Sequence, residues 1–285
     1  MAELFSGPAA AADQLLAAGY LADEAICDAV FFAERLGKPV LVEGPAGVGK
    51  TELAKAVARV AGWRLLRLQC YEGLDEARAL YEWNYKKQLL RLQASGGGSW
   101  SEAEQDIFTE DFLLERPLLA AIRSPDPVVL LIDEVDRVEV ETEALFLEVL
   151  SDFQISVPEL GTVVAKHKPM VFLTSNATRD LSEALRRRCL YLHLDYPGQD
   201  REERIILLRA PEVGEKLARA VARVVGAVRR FDLAKPPSIS ESIDWARTLS
   251  LLGVTELEPA AARRTLPLLL KHRSDIERVT RELAL

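Results

Sequence analysis

One segment, Gly-Pro-Ala-Gly-Val-Gly-Lys-Thr at residues 44–51, constrains this chain more than any other. It follows a short apolar run at 40–42 and opens a helical pattern at 51–60. Glycines allow consecutive backbone N–H groups to curl around an anion, and the N-terminus of the following helix adds a favourable dipole. A strand, this loop and a helix in that order predict an α/β domain that binds the phosphates of a nucleotide.

The residue types within this segment predict separate roles. Lys50 is expected to reach the β- and γ-phosphates, and the Thr51 hydroxyl is expected to ligate Mg²⁺. The predicted cofactors are therefore ATP and Mg²⁺. The remaining residues predicted to contact the nucleotide are Gly44, Pro45, Ala46, Gly47, Val48, Gly49 and Glu52.

A carboxylate pair follows the second diagnostic strand. Five aliphatic residues at 128–132 run directly into Asp133 and Glu134. Two carboxylates at the end of a buried strand are costly unless they bind or catalyse. We predict that Asp133 holds the Mg²⁺ ion and that Glu134 is the general base for the attacking water. The alternative is a charge pair at a helix N-terminus, with Asp133 as its cap.

Two further polar features follow apolar segments. Asn176 comes directly after the segment 170–175, where it can hold the attacking water or the γ-phosphate; an ordinary turn asparagine is the alternative. The arginines at 186–188 follow a helical pattern at 181–185. One of them can serve as an arginine finger for a neighbouring subunit, an interaction worth ~10³ or more in rate, and a solvated basic face is the alternative.

Composition excludes several classes of protein. Lys and Arg number 36 against 44 Asp and Glu, and this net charge of −8 disfavours a protein that coats nucleic acid. No apolar run reaches the roughly 18 residues that a membrane span needs. The three cysteines lie far apart without metal-ligand spacing, so we expect reduced thiols in a cytoplasmic protein.

The organisation of the chain changes near residue 196. Before it, strands and helices alternate, which predicts an α/β domain at 1–196; after it, every segment is helical, which predicts a second domain at 197–285. A long helical pattern, in which a break is allowed, covers 74–92, and another helical pattern covers 112–122. The predicted strands are 40–42, 65–68, 128–132, 170–173 and 190–194, and a hairpin is predicted at 154–165. The predicted helices of the second domain are 199–209, 212–230, 240–252 and 259–284.

The order of these motifs resembles that of AAA+ ATPases. The segments Lys38–Pro45 and Ile132–Arg137 resemble the MoxR group in particular. Residues 69–75 and 80–85 resemble its CoxD-type branch, which assists the maturation of carbon monoxide dehydrogenase and related molybdenum hydroxylases. The resemblance implies a P-loop core with a five-stranded parallel sheet in the order 5-1-4-3-2 and a small all-α lid.

The resemblance also implies partners and an assembly. It implies an ATP-hydrolysing ring, usually of six subunits, with the nucleotide between neighbours. It further implies a protein client, a metalloenzyme as final client, and a partner with a von Willebrand factor A domain. Two substructures are expected in the core, an insert at about 69–111 and a pre-sensor hairpin at about 153–166.

Some roles are carried over from the family residue by residue. Arg188 best matches the arginine finger and Arg187 is the second choice, while Tyr20 and Leu21 lie where the family often packs adenine. The family often has an arginine at the start of the third lid helix, but residues 238–242 contain none. Either another arginine, such as Arg247, replaces it, or lid closure is weakly coupled to the phosphate.

The insert permits two interpretations. Its aromatic residues Tyr71, Tyr81, Trp83 and Tyr85 either pack in a core or grip a client at the pore of the ring. Glycines 96–98 and the hairpin tip at 159–161 are expected to let these segments move. The competing functions are a DNA-associated motor, a GTPase or small-molecule kinase, and a nucleotide-binding scaffold without hydrolysis.

Overall fold

A five-stranded parallel sheet organises the structure, a computed structural model that describes residues 3–94, 108–158 and 160–284. The strands of the described residues are β1 Val40–Glu43, β2 Arg64–Gln69, β3 Tyr81–Trp83, β4 Leu113–Glu115, β5 Val128–Asp133, β6 Gln154–Val157, β7 Gly161–Val164, β8 Met170–Ser175 and β9 Leu190–His193. The strand order of the parallel sheet is β2-β5-β8-β1-β9, which confirms the predicted order 5-1-4-3-2. The inner strands β5 and β8 are buried along their whole length, as expected of a parallel sheet covered on both faces.

Helices surround this sheet and make up the C-terminal part of the chain. Those of the described residues are α1 Pro8–Ala17, α2 Glu24–Leu36, α3 Lys50–Ala61, α4 Glu76–Ala79, α5 Tyr85–Ala94, α6 Pro117–Ile122, α7 Val140–Asp152, α8 Glu183–Arg188, α9 Gln199–Arg209, α10 Glu215–Val228, α11 Ile239–Leu251, α12 Pro259–Leu269 and α13 Arg273–Glu282. Short 3-10 turns cover Glu110–Phe112 and Val135–Arg137.

The chain divides into two compact units. The first contains residues 1–14, 23–43 and 51–193, and it holds every strand of the described residues. The second contains residues 15–22, 44–50 and 194–285, and its core packs around the fully buried Trp245. The indole nitrogen of Trp245 donates to Thr265 Oγ1 at 2.7 Å, which satisfies its one polar group. The phosphate-loop segment 44–50 thus groups with the helical unit.

The helical pattern predicted over 74–92, for which a break was allowed, is interrupted by a strand that was not predicted. The segment is broken into α4, β3 and α5, because Leu80 and Trp83 are buried in the core of the first unit. β3 pairs with β4 in antiparallel register, with Trp83 opposite Leu113. Aromatic residues favour strands when they pack against a partner strand, and that partner lies outside the local pattern.

Two other helix boundaries differ from the prediction. The helix expected from 112 starts only at Pro117, a residue that suits the first turn because it lacks an N–H. The helix expected over 259–284 breaks into α12 and α13, since Leu270 is extended and buried in the core. Asp275 then accepts the N–H groups of Ala234 and Lys235, which fixes the start of α13.

Candidate nucleotide-binding site

The loop at 44–50 requires its glycines. Gly44, Gly47 and Gly49 have φ angles of 151°, 80° and 97°, a region that L side chains rarely adopt. A Cβ atom at Gly44 would lie 1.9 Å from the Leu194 carbonyl oxygen, and one at Gly47 would lie 2.2 Å from Ser238 Cβ. The loop is therefore a cradle of the kind that binds anions through backbone N–H groups.

Lys50 folds back over this loop. Its Nζ donates to the carbonyl oxygens of Gly44 at 2.6 Å and Pro45 at 2.8 Å, and its side chain is buried. The ammonium is held at the mouth of the cradle, where a phosphate would compete with these carbonyls for it. The prediction that Lys50 binds phosphate fits this placement.

Asp133 is the most heavily bonded carboxylate at the sheet edge. Its Oδ1 accepts from Thr51 Oγ1 at 2.9 Å and from Thr174 Oγ1 at 2.5 Å. Arg67 donates to its Oδ2 from Nε and a terminal nitrogen. Sequence reasoning placed Thr51 and Asp133 together and missed Thr174 and Arg67. A threonine inside a buried strand and an arginine on the neighbouring strand were the available signals.

The oxygen atoms of Asp133 and Thr51 are suitable ligands for a hard divalent cation. A threonine hydroxyl and a carboxylate are oxygen ligands, which Mg²⁺ prefers, and Mg²⁺ takes the rest of its shell from water and substrate phosphates. Within the described ranges, no three His, Cys, Asp or Glu residues form a group that could hold a metal ion. Thr51 and Asp133 are the residues that would hold Mg²⁺ beside a phosphate.

Glu134 stands at the carboxyl end of β5 in a left-handed conformation. Its φ is 58°, and its backbone N–H donates to Thr174 Oγ1 at 2.9 Å. Its Oε2 accepts from Gln69 Nε2 at 3.2 Å and lies 3.0 Å from Arg137 Nε. Strained backbone of this kind clusters at functional sites, and here it turns a carboxylate out of the sheet edge.

A second buried carboxylate links the Glu134 turn to Asn176. Asp136 Oδ2 accepts the N–H of Asn176 at 3.1 Å, the N–H of Thr178 at 3.0 Å and the Thr178 hydroxyl at 2.7 Å. Burial acts to raise the pKa of Asp136, but these hydrogen bonds outweigh it and hold the pKa below its usual value. Between the two donors, Ala177 has a φ of 56°. Asp136 thus clamps the turn that carries Asn176, a role the sequence did not reveal.

The three consecutive arginines have different surroundings. Arg186 pairs with the buried Glu43 at 3.1 Å, so it is committed within its own subunit. Arg187 pairs with Glu183 one turn earlier, and its side chain is 76% exposed. Arg188 donates to Ser151 Oγ and, at 2.9 Å, to the Ala184 carbonyl. Their role toward a neighbouring subunit stays a prediction.

Tyr20 and Leu21 lie in the same unit as the phosphate loop. A Cβ atom at Gly49 would be 3.8 Å from Tyr20 Cε2, so the aromatic ring flanks the loop. The Leu21 carbonyl accepts from Arg201 at 3.1 Å. This position is compatible with the predicted adenine contact, which stays a prediction.

The lid segment without an arginine starts α11. Ser238 caps this helix, and Glu241 returns a hydrogen bond to the Ser238 N–H, a capping box. Arg247 donates to Glu212 Oε1 at 3.1 Å and to the Arg209 carbonyl at 2.5 Å. Its described contacts are therefore with neighbouring residues of the helical unit.

The insert contains both buried and exposed aromatic residues. Trp83 is 6% exposed and packs edge-on against Phe108 with ring centres 5.3 Å apart. Tyr85 is 65% exposed and Tyr71 is 37% exposed. Trp83 is thus a core residue and Tyr85 is mostly exposed, while the Tyr71 hydroxyl accepts a hydrogen bond from Arg78 at 3.2 Å. Residues 96–98 and Glu159, predicted to be mobile, lie outside the described residues.

No helix in the part of the chain that the structure describes is both long and apolar enough to cross a membrane.

Comparison with known proteins identifies a family and several relatives of this chain. The family described as AAA domain (dynein-related subfamily) matches residues 39–189. An uncharacterized protein of Staphylococcus aureus is 27% identical over 240 residues, which are 80% of this chain and 83% of that protein. The denitrification regulatory protein NirQ of Stutzerimonas stutzeri is 25% identical over 204 residues, 69% of this chain and 65% of NirQ. NirQ of Pseudomonas aeruginosa is 26% identical over 211 residues, 70% of each chain.

Solved structures of RuvB from Thermotoga maritima share the fold. One RuvB variant superposes with a TM-score of 0.51 at 20% identity, covering 86% of this chain and 68% of RuvB. Another has a TM-score of 0.52 at 19% identity with the same coverage. At this identity the likeness shows the architecture alone.

Proposed function

Since the chain belongs to the AAA domain family of the dynein-related subfamily and is an AAA+ ATPase of the MoxR-like type, we propose that it uses ATP hydrolysis to remodel a protein client. One observation carries the chemical part of this proposal. Thr51, Asp133 and Glu134 lie together with Thr174 at the carboxyl edge of the sheet, joined by hydrogen bonds of 2.5 to 2.9 Å.

Phosphate binding is assigned to the loop and its lysine. The N–H groups of residues 46–50 are assigned to bind the phosphates, and Lys50 exchanges the Gly44 and Pro45 carbonyls for phosphate oxygens. Thr51 and Asp133 would hold Mg²⁺, which neutralises charge on the phosphates when it is bound. Tyr20 and Leu21 flank the adenine.

Water activation is assigned to Glu134 and Asn176. Glu134 takes the proton of the attacking water, and its left-handed backbone keeps the carboxylate beyond the end of β5. Asn176 directly follows the neighbouring strand β8 and orients that water. Because β5 and β8 are parallel and adjacent, both residues follow strand ends at the same edge.

The active form is proposed to be a homo-oligomeric ring, with six subunits as in the related family. A neighbouring subunit then supplies an arginine finger to the γ-phosphate. Arg188 is the first choice and Arg187 the second, whereas the ion pair with Glu43 withdraws Arg186 from this role. We place this ring in the cytoplasm, in line with three cysteines that lie far apart in the sequence.

The client is proposed to be a molybdenum-containing hydroxylase such as carbon monoxide dehydrogenase, with a von Willebrand factor A protein as partner. The resemblance of residues 69–93 to the CoxD-type branch supports this proposal. NirQ, a curated relative, is described as a denitrification regulatory protein. The exposed rings of Tyr71 and Tyr85 are the client contacts that we propose on the insert.

The test is capture of the client in the ATP state. Glu134→Gln should bind ATP, turn it over at least 100-fold more slowly and retain client and partner in a pull-down with ATP. Lys50→Ala, which should lose nucleotide affinity in a fluorescent-nucleotide titration, is the matched control and should retain neither. Turnover at the wild-type rate in Glu134→Gln would contradict the general-base assignment. Retention of DNA with ATPase stimulation would favour a DNA-associated motor.

A further inference from the structure

Several backbone carbonyl groups of the phosphate loop accept hydrogen bonds. Four consecutive carbonyl oxygens, at residues 44 to 47, each accept a hydrogen bond. Lys50 Nζ donates to the first two of these oxygens. The Tyr196 hydroxyl donates to the Ala46 oxygen at 3.1 Å, and the Ile239 N–H donates to the Gly47 oxygen at 3.0 Å. All of these residues belong to the second compact unit.

These contacts determine where the loop's N–H groups point. In a planar trans peptide the C=O and the following N–H point in opposite directions. A donor that holds the Ala46 carbonyl outward therefore aims the Gly47 N–H into the cradle. In the same way, the bond from Ile239 aims the Val48 N–H.

The Tyr196 ring is held rigidly. The Arg229 guanidinium lies 4.4 Å from its ring centre, a favourable cation–π distance. Arg229 is only 7% exposed, and it binds the fully buried Glu202 through bonds of 2.5 and 2.9 Å. Its Nε also donates to the Pro237 carbonyl at 2.8 Å, immediately before the cap of α11. The buried Arg229 thus contacts both Tyr196 and the segment that starts α11, the two elements that donate to the Ala46 and Gly47 carbonyls.

The Ile239 donor is also well defined. The first N–H groups of a helix have no partner inside the helix, so the Ile239 N–H is available to Gly47. The capping box of Ser238 and Glu241 sets the position of this first turn. Gly47 has no side chain where Ser238 Cβ approaches, which permits the short distance.

We propose that Tyr196 and the first turn of α11 are positioning residues for the phosphate loop. They act on the loop's carbonyls, so that the N–H groups are oriented before the nucleotide arrives. The bonds of Lys50 must break for it to reach a phosphate, whereas those of Tyr196 and Ile239 persist. The inference rests on the proposed nucleotide site.

The test is Tyr196→Phe in the full chain, which removes the hydroxyl and keeps the ring on Arg229. Loss of one hydrogen bond at the loop should raise the Kd for ADP roughly 2- to 10-fold. The Kd for adenosine, which has no phosphate, should not change. Tyr191→Phe, at an exposed ring of β9, is the matched control and should bind ADP like the wild type.

The outcomes separate the two proposals. An unchanged Kd for ADP in Tyr196→Phe overturns the positioning role, and so does an equal loss for ADP and adenosine, which indicates a general defect. Wild-type protein that fails to bind ADP overturns the proposed nucleotide site itself. Thermal unfolding of each variant, measured alongside, verifies that Tyr196→Phe and Tyr191→Phe still fold.

Discussion

Arg67 donates two hydrogen bonds to one oxygen of Asp133, from Nε at 2.9 Å and from a terminal nitrogen at 2.5 Å. The two residues are 66 positions apart and meet because β2 and β5 are neighbours in the sheet. The guanidinium therefore neutralises the carboxylate that we assign to Mg²⁺. Its side chain is 48% exposed, so it can turn toward solvent.

Replacing Arg67 should strengthen binding of a divalent cation. A positive charge near the site repels the cation, by about 1 kcal/mol at 4 Å in water. Arg67→Ala should thus lower the Kd for Mn²⁺ in the presence of ADP roughly fivefold, measured by electron paramagnetic resonance titration. Arg64→Ala, on the exposed start of the same strand, is the control. Weaker Mn²⁺ binding in Arg67→Ala would mean that Arg67 instead orients Asp133.

Asp136 should affect hydrolysis through Asn176. Asp136→Asn keeps the size of the side chain but removes the charge that accepts two N–H groups across Ala177. We expect kcat to fall about tenfold or more while the Kd for ATP stays near its wild-type value. Thr178→Val removes only the hydroxyl donor and should give a smaller fall. A loss of thermal stability with unchanged kcat would limit Asp136 to a structural role.

Alanine substitutions at the three arginines 186–188 should have different effects. Arg188→Ala should bind ATP normally and hydrolyse it ~10³-fold more slowly in assembled rings, as expected for a missing finger. Mixing Arg188→Ala with Glu134→Gln subunits should restore part of the activity, because each supplies the group that the other lacks. If Arg187→Ala alone shows this behaviour, the finger is Arg187. Arg186→Ala should lower stability, since it leaves the buried Glu43 unpaired.

Two cysteine thiols should resist modification. Burial, helped by the negative charges of Asp133, Asp136 and Glu134, raises the pKa of Cys70 to about 12. Burial likewise raises the pKa of Cys189 to about 12. Thiolates are the reactive species, so at pH 8 iodoacetamide should label both far more slowly in native than in unfolded protein, as measured by mass spectrometry. Equal labelling rates in native and unfolded protein would contradict the raised pKa values of these two thiols.

The same two thiols predict the direction of alkaline destabilisation. The unfolded chain releases these protons near its ordinary thiol pKa, whereas the folded chain holds them until about pH 12. Above roughly pH 9 the unfolded state therefore binds fewer protons, and the free energy of unfolding must fall as the pH rises. Serine substitutions at both positions should remove this part of the pH dependence.

Local pattern was sufficient for the five strands of the parallel sheet and for the position of the glycine-rich loop. β5 is an aliphatic run that ends in Asp133, and β8 is followed directly by Asn176. The strand β3 inside the helical pattern at 74–92 was not predicted, because Trp83 is buried by pairing with Leu113, thirty residues away. Periodicity measures only neighbours along the chain, so it cannot register a partner strand.

The sequence alone determined which residues can do chemistry: a glycine-rich loop, Lys50, Thr51 and the pair Asp133 and Glu134 at a strand end. The tertiary structure alone decided what holds them, namely Arg67 and Thr174 on Asp133, Asp136 on the Asn176 turn, and Tyr196 on the Ala46 carbonyl. These partners are 40 to 150 positions apart along the chain. A hydrogen bond between such distant residues leaves no pattern in one sequence, because it is folding that brings its donor and acceptor into contact.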